Sequence, residues 1–194
     1  MVTATQPAAP PAQPGEPLVR RAARMIYRGT AVDLGAGIGI DALHLAWQGI
    51  SVLAVDRRAD KLAHVGELAA RERLPLTTWI GDAVDVAWPD EVDIVVAVRV
   101  LHLIERSRAL ALVTEAQERT SPGGVHVVAA FGGGYDPTDR RRLFLERDEL
   151  RDLYAGWDEV AGRSHAFDLD EKRASGRPWR FFQHATLMRK PEDD

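Results

Sequence analysis

Residues 31–41, AVDLGAGIGID, carry the most distinctive chemical pattern of the chain, because an apolar run there meets a carboxylate and alternating glycines. The glycines are Gly35, Gly37 and Gly39. A dinucleotide-binding turn has glycines at its first, third and sixth positions, but the sixth position counted from Gly35 is Ile40. Asp33 would repel a pyrophosphate and suits a ligand that carries an ammonium and a sulfonium group. The turn therefore favours S-adenosylmethionine over a nicotinamide cofactor.

Polar residues also follow the next three apolar runs. Asp56 follows the second run and has two oxygens for the hydroxyls of a ribose, while Asp82 follows the third and suits an adenine amino group. Arg99 and His102 follow the fourth run and are predicted to face the reaction centre. Asp56 and Asp82 fit a turn or a helix cap equally well when each is taken alone. Taken in order, they predict an adenosine site at the carboxyl ends of parallel strands.

The predicted cofactor-binding residues are Asp33, Gly35, Ala36, Gly37, Asp56, Arg57, Gly81, Asp82, Ala83 and Arg99.

Short apolar runs alternate with longer amphipathic ones, which predicts an α/β fold with a doubly wound, mostly parallel sheet. The predicted strands are 30–34, 51–55, 76–80, 93–98, 125–131, 159–163 and 179–189. The predicted helices are 18–27, 40–48, 60–72, 105–119 and about 146–155. Residues 1–17, rich in proline and alanine, are predicted to be a disordered tail, and residues 18–194 a single domain.

The composition excludes several classes of protein. The chain has no cysteine, so disulfides and thiolate chemistry are excluded, and its six histidines are scattered without metal-ligand spacing, so no metal site is predicted. The net charge of −4 gives no general electrostatic reason to bind nucleic acid. No apolar run is long enough to span a membrane and no signal pattern opens the chain, which predicts a cytoplasmic protein without membrane partners. The excess of arginine over lysine suggests a GC-rich bacterial genome, and the oligomeric state stays open.

Residues 30–131 resemble the class I S-adenosylmethionine-dependent methyltransferases. AVDLGAGIG is similar to the first motif of that family, VLAVD to the second, WIGDA to the third, and VDIVVAVRVLHLI and SPGGVHVVAA to the fourth and fifth. The resemblance implies a Rossmann-like sheet of seven strands with the last strand antiparallel. It also implies S-adenosylmethionine as methyl donor, S-adenosylhomocysteine as product, and a methyl acceptor.

The remainder of the chain more narrowly resembles the TehB-like, or tellurite-resistance, methyltransferases. FLERDELRDLYAGWDEV, a Ser-His segment and HATLMRK carry this likeness. In that family a histidine and an arginine lie at the acceptor site, which implies His165 and one of Arg173, Arg177 and Arg180, with Arg180 favoured because it begins the last strand. A metalloid oxyanion is one acceptor that this resemblance implies, and a biosynthetic substrate is the alternative.

Methyl transfer from a sulfonium is an in-line displacement, so orientation contributes much of the acceleration. An anionic acceptor needs cationic groups, for which Arg99 and Arg180 are candidates, whereas a neutral acceptor needs a base, for which His102 and His165 are candidates. The leading hypothesis is an enzyme that methylates a small-molecule acceptor. The alternatives are a protein that binds S-adenosylmethionine without transferring methyl, and a nicotinamide-dependent oxidoreductase, which Asp33 and Ile40 disfavour.

Overall fold

The computed structural model describes residues 15–132, 143–172 and 178–192, and of these it gives only the backbone for 167–172 and 178–181. The strands are β1 (Thr30–Leu34), β2 (Ser51–Asp56), β3 (Leu76–Ile80), β4 (Val92–Val98), β5 (Thr120–Gly132), β6 (Asp158–Lys172) and β7 (Pro178–Arg189). The helices are α1 (Pro17–Met25), α2 (Ile40–Trp47), α3 (Ala59–Glu72), α4 (Arg106–Arg119) and α5 (Arg147–Asp152), with 3₁₀ turns at Ala83–Asp85 and Leu101–Leu103.

The strands form one seven-stranded sheet in the order β3-β2-β1-β4-β5-β7-β6. Strands β1 to β5 run parallel to their neighbours, and β7 runs antiparallel to both β5 and β6. The predicted α/β class, the strand number and the antiparallel last strand are therefore confirmed. The order reverses at β1, which pairs with β2 on one side and with β4 on the other, and ligands bind at such a switch point in open sheets.

The central strands have apolar side chains on both faces, and helices cover both faces of the sheet. Val125, Val127 and Ala129 pack into the core beneath α1 and α2, while Val128 and Ala130 pack into the core beneath α4 and α5. This alternation along β5 follows from the two-residue period of a strand. The sheet is thus held rigidly between two apolar layers, and its carboxyl edge can position side chains.

A buried polar group ties α5 to the sheet. The His126 ring on β5 hydrogen bonds through Nε2 to Thr120 Oγ1 at 2.7 Å and through Nδ1 to the Tyr154 hydroxyl at 2.9 Å. Burial lowers the pKa of His126 to about 3, so the ring is neutral at ordinary pH. His126 is therefore a satisfied interior residue, as its place inside the predicted fifth strand indicates.

The folded part begins before the predicted boundary at residue 17. Pro17 is the first residue of α1, where a proline has no amide to leave unpaired, and Glu16 is buried and caps the helix by accepting from the Leu18 amide. The Glu16 amide in turn donates to Asp41 Oδ1 at 2.8 Å. The prediction of a tail through residue 17 is therefore wrong at its end, and residues 1–14 lie outside the described residues.

The last third of the chain departs most from the predicted bounds. The fifth strand begins at Thr120 instead of Val125, and its register shifts where Pro122, Gly123 and Gly124 interrupt the pairing with β4. Helix α5 is shorter than predicted and gives way to a turn that includes Gly156, with φ of 88°. Strand β6 is longer than predicted, because it continues as a hairpin with β7 beyond residue 163.

Candidate functional site

The glycine turn after β1 has the backbone that its sequence predicts. Gly35, Gly37 and Gly39 have φ of 72°, 59° and 74°, in the left-handed region that favours glycine. A Cβ at Gly35 would lie 2.5 Å from Val100 Cγ2 and one at Gly39 would lie 2.6 Å from Val65 Cγ2. Backbone conformation therefore favours glycine at all three positions, and close packing also excludes a side chain at Gly35 and Gly39.

Asp33 lies buried beneath this turn. It accepts a hydrogen bond from the Ala42 amide, but its Oδ2 atom is buried without a hydrogen-bond partner in the described part of the chain. Burial raises the pKa of Asp33 well above its ordinary value of 3.8, and the nearby carboxylates Asp41 and Asp56 raise it further. A buried carboxylate oxygen without a hydrogen bond lowers the stability of the fold, and a cationic partner such as an ammonium group would remove that cost.

Asp56 fastens the glycine turn to the end of β2. Its Oδ2 accepts from the Gly37 amide and its Oδ1 accepts from the Arg58 amide, both at 2.8 Å. A carboxylate has about four acceptor sites, so two remain for a ligand. The two alternatives that the sequence leaves open for Asp56 are therefore compatible, since the residue caps a turn and still borders open space.

Asp82 closes the site on the side of β3. Its Oδ1 accepts from the Val84 amide at 3.3 Å, which caps the turn at Ala83–Asp85, and its Oδ2 lies 4.0 Å from the Arg57 guanidinium. The carboxylate is partly exposed. Asp82 therefore caps a turn, which is one of the two roles that the sequence leaves open for it. Its carboxylate also faces the space next to Arg57.

These strand ends enclose a cleft of about 400 Å³. Among the predicted cofactor residues, those on its wall are Gly35, Asp56, Arg57, Gly81, Asp82, Ala83 and Arg99. Asp33, Ala36 and Gly37 do not line it: Asp33 lies beneath the turn, and Gly37 reaches it only through the hydrogen bond to Asp56. A cleft at the switch point, with polar groups converging from four strands, is the expected place for a cofactor.

Seven further wall residues are absent from the prediction. They are Arg58, Lys61, Val100, Leu103, Ile104, Glu105 and Arg108. Four of these lie at or near the starts of α3 and α4, which project over the cleft. Leu103 is 53% exposed although apolar, which only the structure shows.

Arg99 has a strained backbone at the end of β4. Its φ is 58°, which is uncommon outside glycine, and its amide donates to Ala129 O at 2.9 Å. It borders the cleft and also a second cavity next to it. Strain of this kind persists where the surrounding structure imposes it.

The predicted acceptor residues are spread over a wider area. His102 is half-buried and is not on the wall of the cleft; its ring packs edge-on against Phe131, with centroids 4.7 Å apart. His165 is exposed on β6 and lies in register with Gln183 of β7, which in turn pairs with Phe131 of β5. His165 is thus two strand spacings, roughly 10 Å, from the strand that His102 contacts.

Arg180 is described only by its backbone, which pairs with Asp168 on the part of the β6–β7 hairpin that extends past the end of β5. The competing residues Arg173 and Arg177 lie outside the described residues. In the described ranges no cluster of histidine or carboxylate side chains could hold a metal ion. None of the helices described is both long enough and apolar enough to cross a membrane.

Comparison with known proteins agrees with this architecture. The chain is 32% identical over 180 residues to Hemagglutinin 1 of Eikenella corrodens, covering 89% of this chain and 58% of that protein. It is 27% identical over 160 residues to the probable S-adenosyl-L-methionine-dependent methyltransferase TehB of Haemophilus influenzae (strain 10810), covering 78% of this chain and 56% of that protein. The chain therefore spans little more than half the length of either relative.

The crystal structure of TehB from Haemophilus influenzae superposes with a TM-score of 0.76 at 22% identity, over 90% of this chain and 62% of that one. This likeness, with the strand order and the cleft at the switch point, places the chain in the Rossmann-like class I methyltransferase fold. Residues 14–187 match the family described as Tellurite resistance protein TehB, and the chain belongs to that family. The family and fold predictions are thereby confirmed, and membership implies S-adenosylmethionine as cofactor.

Proposed function

We propose that this chain is an enzyme that transfers the methyl group of S-adenosylmethionine to a small-molecule acceptor by in-line displacement. The observation that carries the proposal is the cleft of about 400 Å³ on which Gly35, Asp56, Asp82 and Arg99 converge from the ends of four adjacent strands. When bound, the cofactor supplies a methyl group on a sulfonium; the acceptor's lone pair forms the new bond to carbon as the carbon–sulfur bond breaks, and that electron pair leaves on a neutral thioether.

The residues of the cleft fit the polar groups of the cofactor. Asp56 keeps acceptor sites for the hydroxyls of the ribose, and Asp82 can accept from the adenine amino group. The exposed Leu103 and the adjoining Ile104 offer an apolar surface for the base. Gly35, which has no side chain, allows the ligand to approach the backbone closely.

Asp33 is proposed to bind the ammonium group of the cofactor, directly or through an ordered water. Its Oδ2 is buried and lacks a hydrogen-bond partner in the described part of the chain, and its raised pKa reflects an environment without a compensating cation. Binding a cation there would favour the ionised carboxylate. This fit is the feature that most clearly separates the turn from one that cradles phosphates.

The roles at the acceptor end are proposals of the same kind. Arg99 is proposed to orient the acceptor from the wall of the cleft, and Arg180 to contribute a second cationic group from the hairpin. If the acceptor is neutral, His102 or His165 is the group that takes its proton, since histidine titrates near neutral pH. An acceptor that is already an anion needs no base.

The test is the formation of S-adenosylhomocysteine by the purified protein with S-adenosylmethionine and a panel of acceptors. Sodium tellurite belongs in the panel because of the family name, together with small thiols, amines, phenols and carboxylates. We expect acceptor-dependent product with the wild type and little with Asp56→Ala. Cofactor binding without product for any acceptor would instead support a protein that binds S-adenosylmethionine without transferring methyl.

A further inference from the structure

A second cavity of about 350 Å³ adjoins the cofactor cleft. Arg99 lines both spaces, whereas Asp82 and Ala83 line only the cleft. A molecule in the second cavity would therefore lie at the Arg99 end of the cofactor and away from the end bordered by Asp82. Ile40 and Asp41, which follow the glycine turn at the start of α2, form part of its wall.

An ion pair with one buried partner forms another part of the cavity wall. The Arg163 guanidinium on β6 donates from Nε to Glu16 Oε1 at 3.0 Å and from Nη2 to Glu16 Oε2 at 2.6 Å. The Glu16 side chain is only 4% exposed, so the pair is held on one side by the packed segment before α1. A guanidinium has five N–H donors and this fork uses two, so Arg163 has donors left for a ligand in the cavity.

The charges around the cavity favour an anion. Three guanidinium groups, those of Arg20, Arg99 and Arg163, line it with two carboxylates, Glu16 and Asp41. Glu16 is already paired with Arg163, and Asp41 Oδ1 accepts from the Glu16 amide, so the guanidinium groups outnumber the carboxylates around the cavity by one. Among the described residues the Arg99 guanidinium makes no hydrogen bond or ion pair within 4 Å, and its interaction with Asp41 is a longer-range electrostatic one.

We propose that this second cavity binds the methyl acceptor and that the acceptor is a small organic anion, with its anionic group between Arg99 and Arg163. The inference rests on the proposed methyl transfer, which locates the reactive end of the cofactor next to Arg99. The volume favours an organic molecule over a bare inorganic oxyanion, because cavities of roughly 300 to 1,000 Å³ are those that enclose small organic ligands. Gln183, which also lines the cavity, offers an amide to fix the orientation of that molecule.

The test measures anion binding by fluorine NMR on the protein saturated with S-adenosylhomocysteine. The probes are trifluoroacetate and para-fluorobenzoate, with the neutral para-fluorobenzamide as the matched control ligand. We expect saturable binding of at least one carboxylate, a dissociation constant raised about tenfold in Arg99→Gln and in Arg163→Gln, and no comparable binding of the amide. Arg21→Gln, which removes an exposed arginine of α1 outside both cavities, should behave as the wild type.

The double variant Glu16→Gln/Arg163→Gln guards against misfolding, because it leaves neutral amides in place of a buried unpaired carboxylate. Binding of S-adenosylhomocysteine is measured for every variant, so that loss of the cofactor site is distinguished from loss of the anion site. Failure of both carboxylates to bind, or equal binding by Arg99→Gln, Arg163→Gln and the wild type, would overturn the proposal. Binding of sodium tellurite at the same arginines, without binding of either carboxylate, would overturn the organic assignment.

Discussion

Asp33 is the residue at which stability and binding are expected to oppose each other. Its pKa in the folded state lies above 3.8, so the ionised form costs stability at neutral pH, and that cost disappears as the pH falls towards 3.8. We expect Asp33→Asn to unfold at the same or a higher denaturant concentration than the wild type at about pH 7. The same variant should bind S-adenosylmethionine at least about tenfold more weakly, because a charge-assisted contact is lost.

Denaturant-induced unfolding at neutral and acidic pH, together with calorimetric titration of S-adenosylmethionine, checks this prediction. The stability advantage of Asp33→Asn should shrink on acidification, since the wild-type carboxyl is then protonated. A variant that is less stable at neutral pH but binds normally would show that Asp33 is a structural residue only.

Gly35 permits a second test at the residue scale. An alanine there would carry φ of 72° and bring a Cβ within 2.5 Å of Val100, whereas an alanine at Gly49 would carry φ of 86° with nothing within 4 Å. The left-handed backbone costs roughly 1–2 kcal/mol in either variant. Beyond this shared cost, we expect only Gly35→Ala to lose stability and S-adenosylmethionine binding. Denaturant-induced unfolding and calorimetric titration measure the two effects.

Gly49→Ala is therefore the matched control for Gly35→Ala. Equal loss of stability in both variants, with normal cofactor binding in Gly35→Ala, would show that the contact between Gly35 and Val100 has no part in shaping the cleft.

At the scale of elements, α5 depends on a few buried polar contacts with the sheet. The Tyr154 hydroxyl, just after α5, is 2.9 Å from His126 Nδ1, and both side chains are buried. Tyr154→Phe would leave the ring nitrogen without that partner, so we expect a loss of about 1–3 kcal/mol in the free energy of unfolding. Equilibrium denaturation measures it, and a loss well below this range would mean that water or a shifted ring satisfies His126.

The strands of the first half and their terminal residues could be predicted from the sequence. Buried parallel strands read as apolar runs bounded by turns, so Asp56, Asp82 and Arg99 fall at the sheet's carboxyl edge by local pattern alone. Strand β7 is predicted to within one residue, but β6 could not be bounded in this way, because its second half, SHAFDLDEK, has more polar than apolar residues. Its length is set by pairing between the two strands.

The cleft residues that the sequence analysis did not predict were also missed because their positions depend on packing between distant parts of the chain. Lys61 and Arg108 belong to helices α3 and α4, and their place on the cleft depends on how those helices pack across the sheet. The second cavity depends on a contact between Glu16 and Arg163, which are 147 residues apart in the chain. Local spacing contains no information about such a contact, so the sequence could not indicate it.

At the scale of the whole molecule, the buried His126 makes stability depend on pH. Its pKa is about 3 in the folded state against an ordinary value of 6.5, so the unfolded chain binds one more proton between these values. Stability should therefore fall as the pH drops through this window, by up to about 1.4 kcal/mol per pH unit from this group. Above pH 6.5 the group should have no effect.

Denaturant melts from neutral to acidic pH on the wild type and on His126→Gln isolate this contribution, because the two proteins share every other titrating group. We expect a shallower decline in His126→Gln. Parallel pH profiles for the two proteins would contradict the assignment of His126 as a neutral, buried ring.

The central claim is that the cleft between the ends of β1 to β4 binds S-adenosylmethionine. Calorimetric titration of the purified protein with S-adenosylmethionine, and separately with NADH, tests it most directly. We predict saturable binding of S-adenosylmethionine with one site per chain, strongly weakened by Asp56→Ala, and no binding of NADH. Absence of S-adenosylmethionine binding, or identical binding by Asp56→Ala and the wild type, would contradict it.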